Sequence, residues 1–172
     1  MSESFINVSL VNPEQIKSRL FELCKHDWSV KLQNTPKLRT YALYKDEFCP
    51  EPYVKSIKKR NLRSIIAKFR CGISPLAIET GRFLNIPIEF RLCQFCSENV
   101  IEDETHVMFA CTAYRDLRNI LFEKANSINM DFENFSVNLK FQMLMSNVMI
   151  HNTAEFLNGI FEKRRSLTYT IL

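Results

Sequence analysis

The sequence predicts a mainly α-helical domain stapled by a single zinc loop with three cysteine ligands and one histidine ligand. Three observations indicate this fold class. Apolar residues recur at helical spacing over most of the 172 residues, and no pair of segments carries a β-hairpin signal. Four side chains of the metal-ligating type also lie within nineteen consecutive positions.

The composition is that of a folded chain. Apolar residues make up 46% and aromatic residues 12%, while glycine occurs only three times, which excludes collagenous and low-complexity sequences. No apolar run approaches the ~20 residues of a membrane span. The acidic start of the chain does not resemble a signal peptide, so we expect an intracellular protein, nuclear or cytoplasmic, with reduced cysteines.

The N-terminal half predicts three helices. Asn12 and Pro13 form a helix start, with a capping residue followed by proline at the first helical position. Residues 37–48 are a second candidate, and residues 59–73 are the clearest helix. The apolar stripe of that third helix comprises Leu62, Ile65, Ile66, Phe69 and Ile73, all expected to be buried.

Residues 81–105 have the character of a connector with little regular structure. Helical spacing returns after His106, residues 126–135 predict a loop, and residues 137–149 and 153–172 predict two final helices. The domain organisation that follows has three parts. They are N-terminal helices over 1–52, a basic helix plus zinc-binding module over 53–125, and C-terminal helices over 126–172 that pack on the same core.

The motif with the clearest chemistry is Cys-x2-Cys-x9-His-x4-Cys. It comprises Cys93, Cys96, His106 and Cys111. Zinc prefers four nitrogen or sulfur ligands in a tetrahedron, and three cysteines with one histidine form a closed structural set. We therefore expect one structural Zn2+ and no metal catalysis.

Two other interpretations of these four residues remain open. The Cys-x2-Cys pair alone is compatible with a redox site, and His106 and Cys111 are compatible with a place in the core. We call residues 93–111, which carry the four ligands, the metal loop. Phe95 lies between the first two ligands, and it either stacks on a nucleobase or packs under the metal loop. The remaining cysteines, Cys24, Cys49 and Cys71, are interpreted as small core hydrophobes.

The positive charge of the chain is local. Residues 53–76 contain seven lysines and arginines and no acid, whereas the whole chain carries only +4. Such a segment is typical of a surface that binds an anionic ligand. We expect phosphate contacts from Lys55, Lys58, Lys59, Arg60, Arg63 and Arg70. The alternative is a helix that docks an acidic protein partner.

A series of short motifs over residues 38–122 resembles a known family. The motifs are Leu38-Arg39-Thr40-Tyr41, Glu51-Pro52-Tyr53, Ala67-Lys68-Phe69-Arg70-Cys71-Gly72, Ile78-Glu79-Thr80-Gly81-Arg82-Phe83, Pro87, Arg91-Leu92-Cys93-Gln94-Phe95-Cys96, Ile101-Glu102-Asp103-Glu104-Thr105-His106, Phe109-Ala110-Cys111 and Tyr114-Arg115-Asp116-Leu117-Arg118. In this order they resemble the zinc-binding domain of reverse transcriptases, from the region after the polymerase in LINE-type (non-long-terminal-repeat) retrotransposons. The resemblance implies that Cys93, Cys96, His106 and Cys111 bind zinc. It also implies a role in handling template RNA or target DNA.

The catalytic motifs of a reverse transcriptase and of an endonuclease are absent from this chain. We therefore expect a retrotransposon-derived module that binds RNA or DNA and is not itself an enzyme. The alternatives are a structural or protein-interaction zinc domain and a nonfunctional retroelement remnant.

Overall fold

The computed structural model describes residues 12–45 and 47–170. The chain divides into two compact units, Met1–Pro36 and Lys37–Leu172, and this boundary falls inside the predicted segment 1–52. The first unit contains helix α1, Pro13–Asn34, whose start is confirmed because the Asn12 side chain accepts a hydrogen bond from the Glu14 amide.

The second unit is mainly helical, which confirms the mainly helical fold class. Its helices are α2 (Tyr53–Ser56), α3 (Arg60–Arg70), α4 (Ala77–Phe83), α5 (Arg115–Ile128), α6 (Val137–Leu144) and α7 (Ile150–Thr170). Within the described ranges, extended pairing is limited to one isolated antiparallel bridge between Leu92 and Ile101. None of the described helices is both long enough and apolar enough to cross a membrane.

Helices α3 and α5 both pack against α7, and aromatic side chains fill the space between the elements of the second unit. Phe69 from α3 and Leu157 from α7 are fully buried, as are Tyr114, Phe132 and Phe141. The C-terminal helices thus share one hydrophobic core with the segment that precedes them.

The apolar stripe of α3 is confirmed over most of its length. Leu62, Ile66 and Phe69 are buried and Ile65 is half-buried, but Ile73 is 49% exposed, so its predicted burial is wrong. The helix ends at Arg70 because Gly72 turns the backbone with a φ of +60°. A Cβ atom at Gly72 would lie 2.2 Å from the Lys37 carbonyl oxygen, so only glycine fits this turn.

The predicted helix over residues 37–48 is wrong. The structure has two single 3-10 turns there, Pro36–Leu38 and Tyr41–Leu43. The segment bends because its polar side chains reach tertiary partners: the Tyr41 hydroxyl donates to Glu51 over 2.8 Å, and the Lys45 ammonium lies 3.2 Å from the same carboxylate.

The predicted connector over 81–105 begins inside a helix that the sequence did not reveal, α4. The amide of Ala77, at the start of α4, donates to the Glu102 carboxylate over 2.7 Å. A side chain 25 positions away therefore caps this helix, and no local sequence pattern could indicate it.

The C-terminal predictions are confirmed in type, with shifted bounds. The predicted loop over 126–135 begins later, because α5 continues to Ile128, and it contains a 3-10 turn, Phe132–Asn134. Helix α6 ends at Leu144 and α7 starts at Ile150, three residues earlier than predicted. The predicted end at residue 172 lies outside the described residues.

We predict that Phe69→Ala lowers the free energy of unfolding by about 3–5 kcal/mol, because the ring is fully buried between α3 and its neighbours. Denaturant unfolding measures this change. The matched control is Ile73→Ala, which truncates a more exposed apolar side chain just after α3. It should change the free energy of unfolding by no more than about 0.5 kcal/mol. Equal losses in the two variants would contradict the packing of α3.

Candidate metal centre

Four side chains converge at one point of the second unit: Cys93, Cys96, His106 and Cys111. Their ligand atoms all lie within 4.8 Å of one another. The sulfurs of Cys93 and Cys111 are 3.9 Å apart, and the Cys96 sulfur lies 3.4 Å from His106 Nε2. Sulfur and nitrogen ligands of a tetrahedral metal ion lie about 3.6–3.8 Å apart, so this cluster fits one ion.

The first two ligands lie on a tight turn closed by a short backbone pairing. The Cys93 amide donates to the Val100 carbonyl over 2.9 Å, next to the bridge between Leu92 and Ile101. Asn99 turns the chain with a φ of +54°, a conformation that asparagine tolerates better than most residues. The closed turn aims both sulfurs at the same point.

The other two ligands lie at the ends of a single π-helical turn, His106–Ala110. The Cys111 amide donates to the His106 carbonyl over 2.7 Å, and the Asp103 carboxylate accepts from the His106 amide over 2.8 Å. A five-residue step in a wide turn brings both side chains to one side. Such turns are common at functional sites.

Burial controls the protonation of the ligands. It raises the pKa of the Cys93 thiol to about 12, with a further contribution from the Glu102 carboxylate, and it lowers the pKa of His106. Burial also raises the pKa of the Cys111 thiol, so both thiols are protonated at neutral pH in the metal-free chain, and a bound metal ion must displace their protons. The Arg118 guanidinium, which donates to the Cys111 carbonyl over 2.9 Å, places a positive charge beside the cluster.

Glu102 connects this cluster to two helices. Its carboxylate is buried, lies 3.7 Å from the Cys93 sulfur, accepts the amide of Ala77 and forms an ion pair with Arg164 of α7. Its backbone amide also donates to the Arg91 carbonyl over 2.9 Å. Its partner in α7 is 62 residues away, so no local sequence pattern indicates the role of Glu102.

The predicted phosphate-binding residues fall into two groups. Lys55, Lys58, Lys59 and Arg60 are exposed. No ion pair joins any of these four side chains to an acid of the described chain.

The other two are engaged within the fold. Arg63 is half-buried, and its guanidinium donates to the carbonyls of Ile57 and Lys58 over 2.7 and 2.9 Å. Arg70 is only 4% exposed, so its predicted accessibility is wrong. It donates to Glu51 over 2.7 Å and lies over the rings of three tyrosines, namely Tyr41, Tyr44 and Tyr53. Arg70 therefore has a structural role within the fold.

The three cysteines outside the cluster are not core residues. Cys24, Cys49 and Cys71 are all exposed, so their predicted burial is wrong. Phe95 is half-buried, with its ring centroid 6.3 Å from that of Tyr114 and 4.3 Å from the Arg164 guanidinium carbon.

No protein-family model, no curated protein and no solved structure matches this chain.

We predict that Glu102→Gln lowers the free energy of unfolding by about 3 kcal/mol, because it removes the negative charge from a largely buried ion pair with Arg164. Denaturant unfolding in excess metal ion isolates this effect from metal loss. The control is Glu98→Gln, on an exposed acid of the same loop, with an expected change within about 0.5 kcal/mol. If both variants were equally stable, Glu102 would not hold α7 to the metal loop.

Proposed function

We propose that the four-ligand cluster binds one zinc ion that stabilises the fold. Three thiolates and an imidazole suit zinc, and four protein ligands complete its tetrahedral coordination. No coordination position is then left for a catalytic water, which favours a structural role over metal catalysis. The resemblance to the zinc-binding domain of reverse transcriptases supports the same ligand set.

We propose further that the chain is a retrotransposon-derived module that binds RNA or DNA and has no catalytic activity of its own. The observation that carries this proposal is the exposed group formed by Lys55, Lys58, Lys59 and Arg60, which we call the basic cluster. These four cations lie close together in sequence, at and before the start of α3, without an acidic neighbour in residues 53–76. An uncompensated positive surface of this kind attracts the phosphate backbone of nucleic acids.

The acidic residues of the metal loop repel nucleic-acid phosphates less strongly than their number suggests. Glu102 is paired with Arg164, and Glu104 with Arg39 over 2.6 Å, and both carboxylates are buried. Because these two negative charges are neutralised inside the fold, they repel phosphates only weakly at the surface.

We predict one zinc ion per purified chain, lost when Cys111→Ser removes a buried ligand. Structural zinc sites contribute apparent binding energies of ~10–16 kcal/mol, so chelation should greatly increase hydrogen exchange over residues 88–118. Elemental analysis and mass-spectrometric exchange measure the two effects. Cys71→Ser, at an exposed cysteine outside the cluster, is the control and should retain full zinc. A metal-free chain with a disulfide between Cys93 and Cys96 would favour the redox interpretation.

We predict salt-dependent binding to nucleic acid through the basic cluster. Each phosphate contact adds about −0.7 to the logarithmic salt slope on a single strand and about −0.9 on a duplex, so four contacts give about −3 to −4. Lys55→Glu with Arg60→Glu should weaken binding to all sequences alike and reduce the slope by about 1.4–1.8. Fluorescence anisotropy at several salt concentrations measures both quantities.

The matched control reverses two exposed cations elsewhere, Arg115→Glu with Lys124→Glu on α5, for the same change in net charge. It should leave the salt slope unchanged, apart from a small uniform loss of affinity. If both double variants lost equal affinity, the basic cluster would not be the binding surface. If the wild-type chain bound no nucleic acid at low salt, a protein-interaction domain with an acidic partner would be the better interpretation.

A further inference from the structure

A groove of about 500 Å³ lies between α3 and α7, and we propose that it binds one unpaired base of a single-stranded nucleic acid together with its phosphate. This inference rests on the proposed nucleic-acid binding. It adds that the nucleic acid is single-stranded and that it contacts the protein at a second site besides the basic cluster. The volume lies in the range of cavities that hold small ligands. The residues of the groove that carry the argument are Lys68, Ser74, Phe95, Phe161, Arg164 and Arg165.

Aromatic rings and a guanidinium plane line the groove. Phe95 and Phe161 line it and are both half-buried. The guanidinium of Arg164 covers the Phe95 ring at 4.3 Å and is fixed in turn by its ion pair with Glu102. Aromatic rings and guanidinium planes are the surfaces on which proteins stack unpaired bases.

The wall of the groove contains one buried polar group. Ser74 lines the groove and is only 3% exposed, yet its Oγ has no hydrogen-bond partner among the described residues. Leaving a buried hydroxyl unpaired is unfavourable. The polar edge of a base, or a ribose hydroxyl, would give it a partner, whereas a purely apolar occupant would not.

Two cations at the same groove select an anionic ligand. Lys68 and Arg165 are exposed, and neither forms an ion pair with an acid of the described chain. Together with the stacking surfaces and Ser74, they match the groups of a nucleotide. The two cations attract the phosphate, the base stacks on the flat side chains, and the polar edge of the base reaches the Ser74 hydroxyl.

The groove and the basic cluster can bind the same strand. Arg60 and Lys68 both belong to α3, about 12 Å apart along the helix axis and about 80° apart around it. A flexible single strand can follow α3 from the basic cluster to the groove and turn one base inward. The bases of an intact duplex are paired and stacked, so a duplex can reach only the basic cluster.

The test compares three ligands of twelve nucleotides on the zinc-loaded full chain by fluorescence anisotropy. They are a uridine single strand, the same strand with abasic sites at its six central positions, and a duplex. We expect the intact single strand to bind about tenfold more tightly than the abasic strand, because only the base can stack. The salt slopes of these two single strands should be equal, since they carry the same phosphates.

Two variants assign the difference to the groove. Ser74→Ala and Phe161→Leu should each reduce the tenfold preference to threefold or less, while Ser127→Ala, at an exposed serine of α5, should preserve it. Ser74→Ala removes an unpaired hydroxyl without adding volume, so the variant should be at least as stable as the wild type. Affinity and stability then change independently, which a purely structural role for Ser74 would not produce.

The outcomes separate this inference from the proposed function. If Lys55→Glu with Arg60→Glu weakens binding but intact and abasic strands bind equally, the groove does not hold a base and nucleic-acid binding stands. If no nucleic acid binds at all, both fall. Binding of a phosphoserine peptide to the groove in preference to the single strand would also overturn the inference.

Discussion

The arrangement of the second unit depends on one buried carboxylate, that of Glu102. It is 2% exposed, caps the first turn of α4 through the Ala77 amide, pairs with Arg164 of α7 and lies 3.7 Å from the Cys93 sulfur. A buried carboxylate is unfavourable unless it is paired and hydrogen-bonded, and Arg164 and the Ala77 amide meet that requirement for Glu102. One side chain thereby fixes the metal loop, a short helix and the C-terminal helix relative to one another.

This constraint joins the metal centre to the groove. Phe95 lies between the ligands Cys93 and Cys96, so the conformation of the metal loop determines where its ring stands. The Arg164 guanidinium that covers the ring is held by Glu102, the same carboxylate that lies beside Cys93. A metal ion bound at the cluster would therefore also order one wall of the groove, although a ligand in the groove would not contact the metal.

Features encoded by neighbouring residues could be predicted from the sequence, and features encoded by distant pairs could not. The helix start at Pro13, the apolar stripe of α3 and the four clustered ligands all follow from local spacing, and the structure has them. Helix α4 and the bent segment over 37–48 depend on contacts between distant residues. Glu102 caps α4 across 25 positions, and Arg39 reaches Glu104 across 65. Periodicity carries no information on such pairs.

The same limit explains why a count of positive charges overestimates a binding surface. Around the axis of α3, Arg70 lies about 40° from Ile66, on the edge of the buried stripe, whereas Arg60 lies about 160° from Leu62, on the opposite face. Arg70 can therefore enter the core, where Glu51 neutralises it. A cation already paired inside the fold releases no counterion on binding and adds nothing to the salt slope. The position of each cation around the helix, and not its presence in a basic run, decides whether it is available to a phosphate.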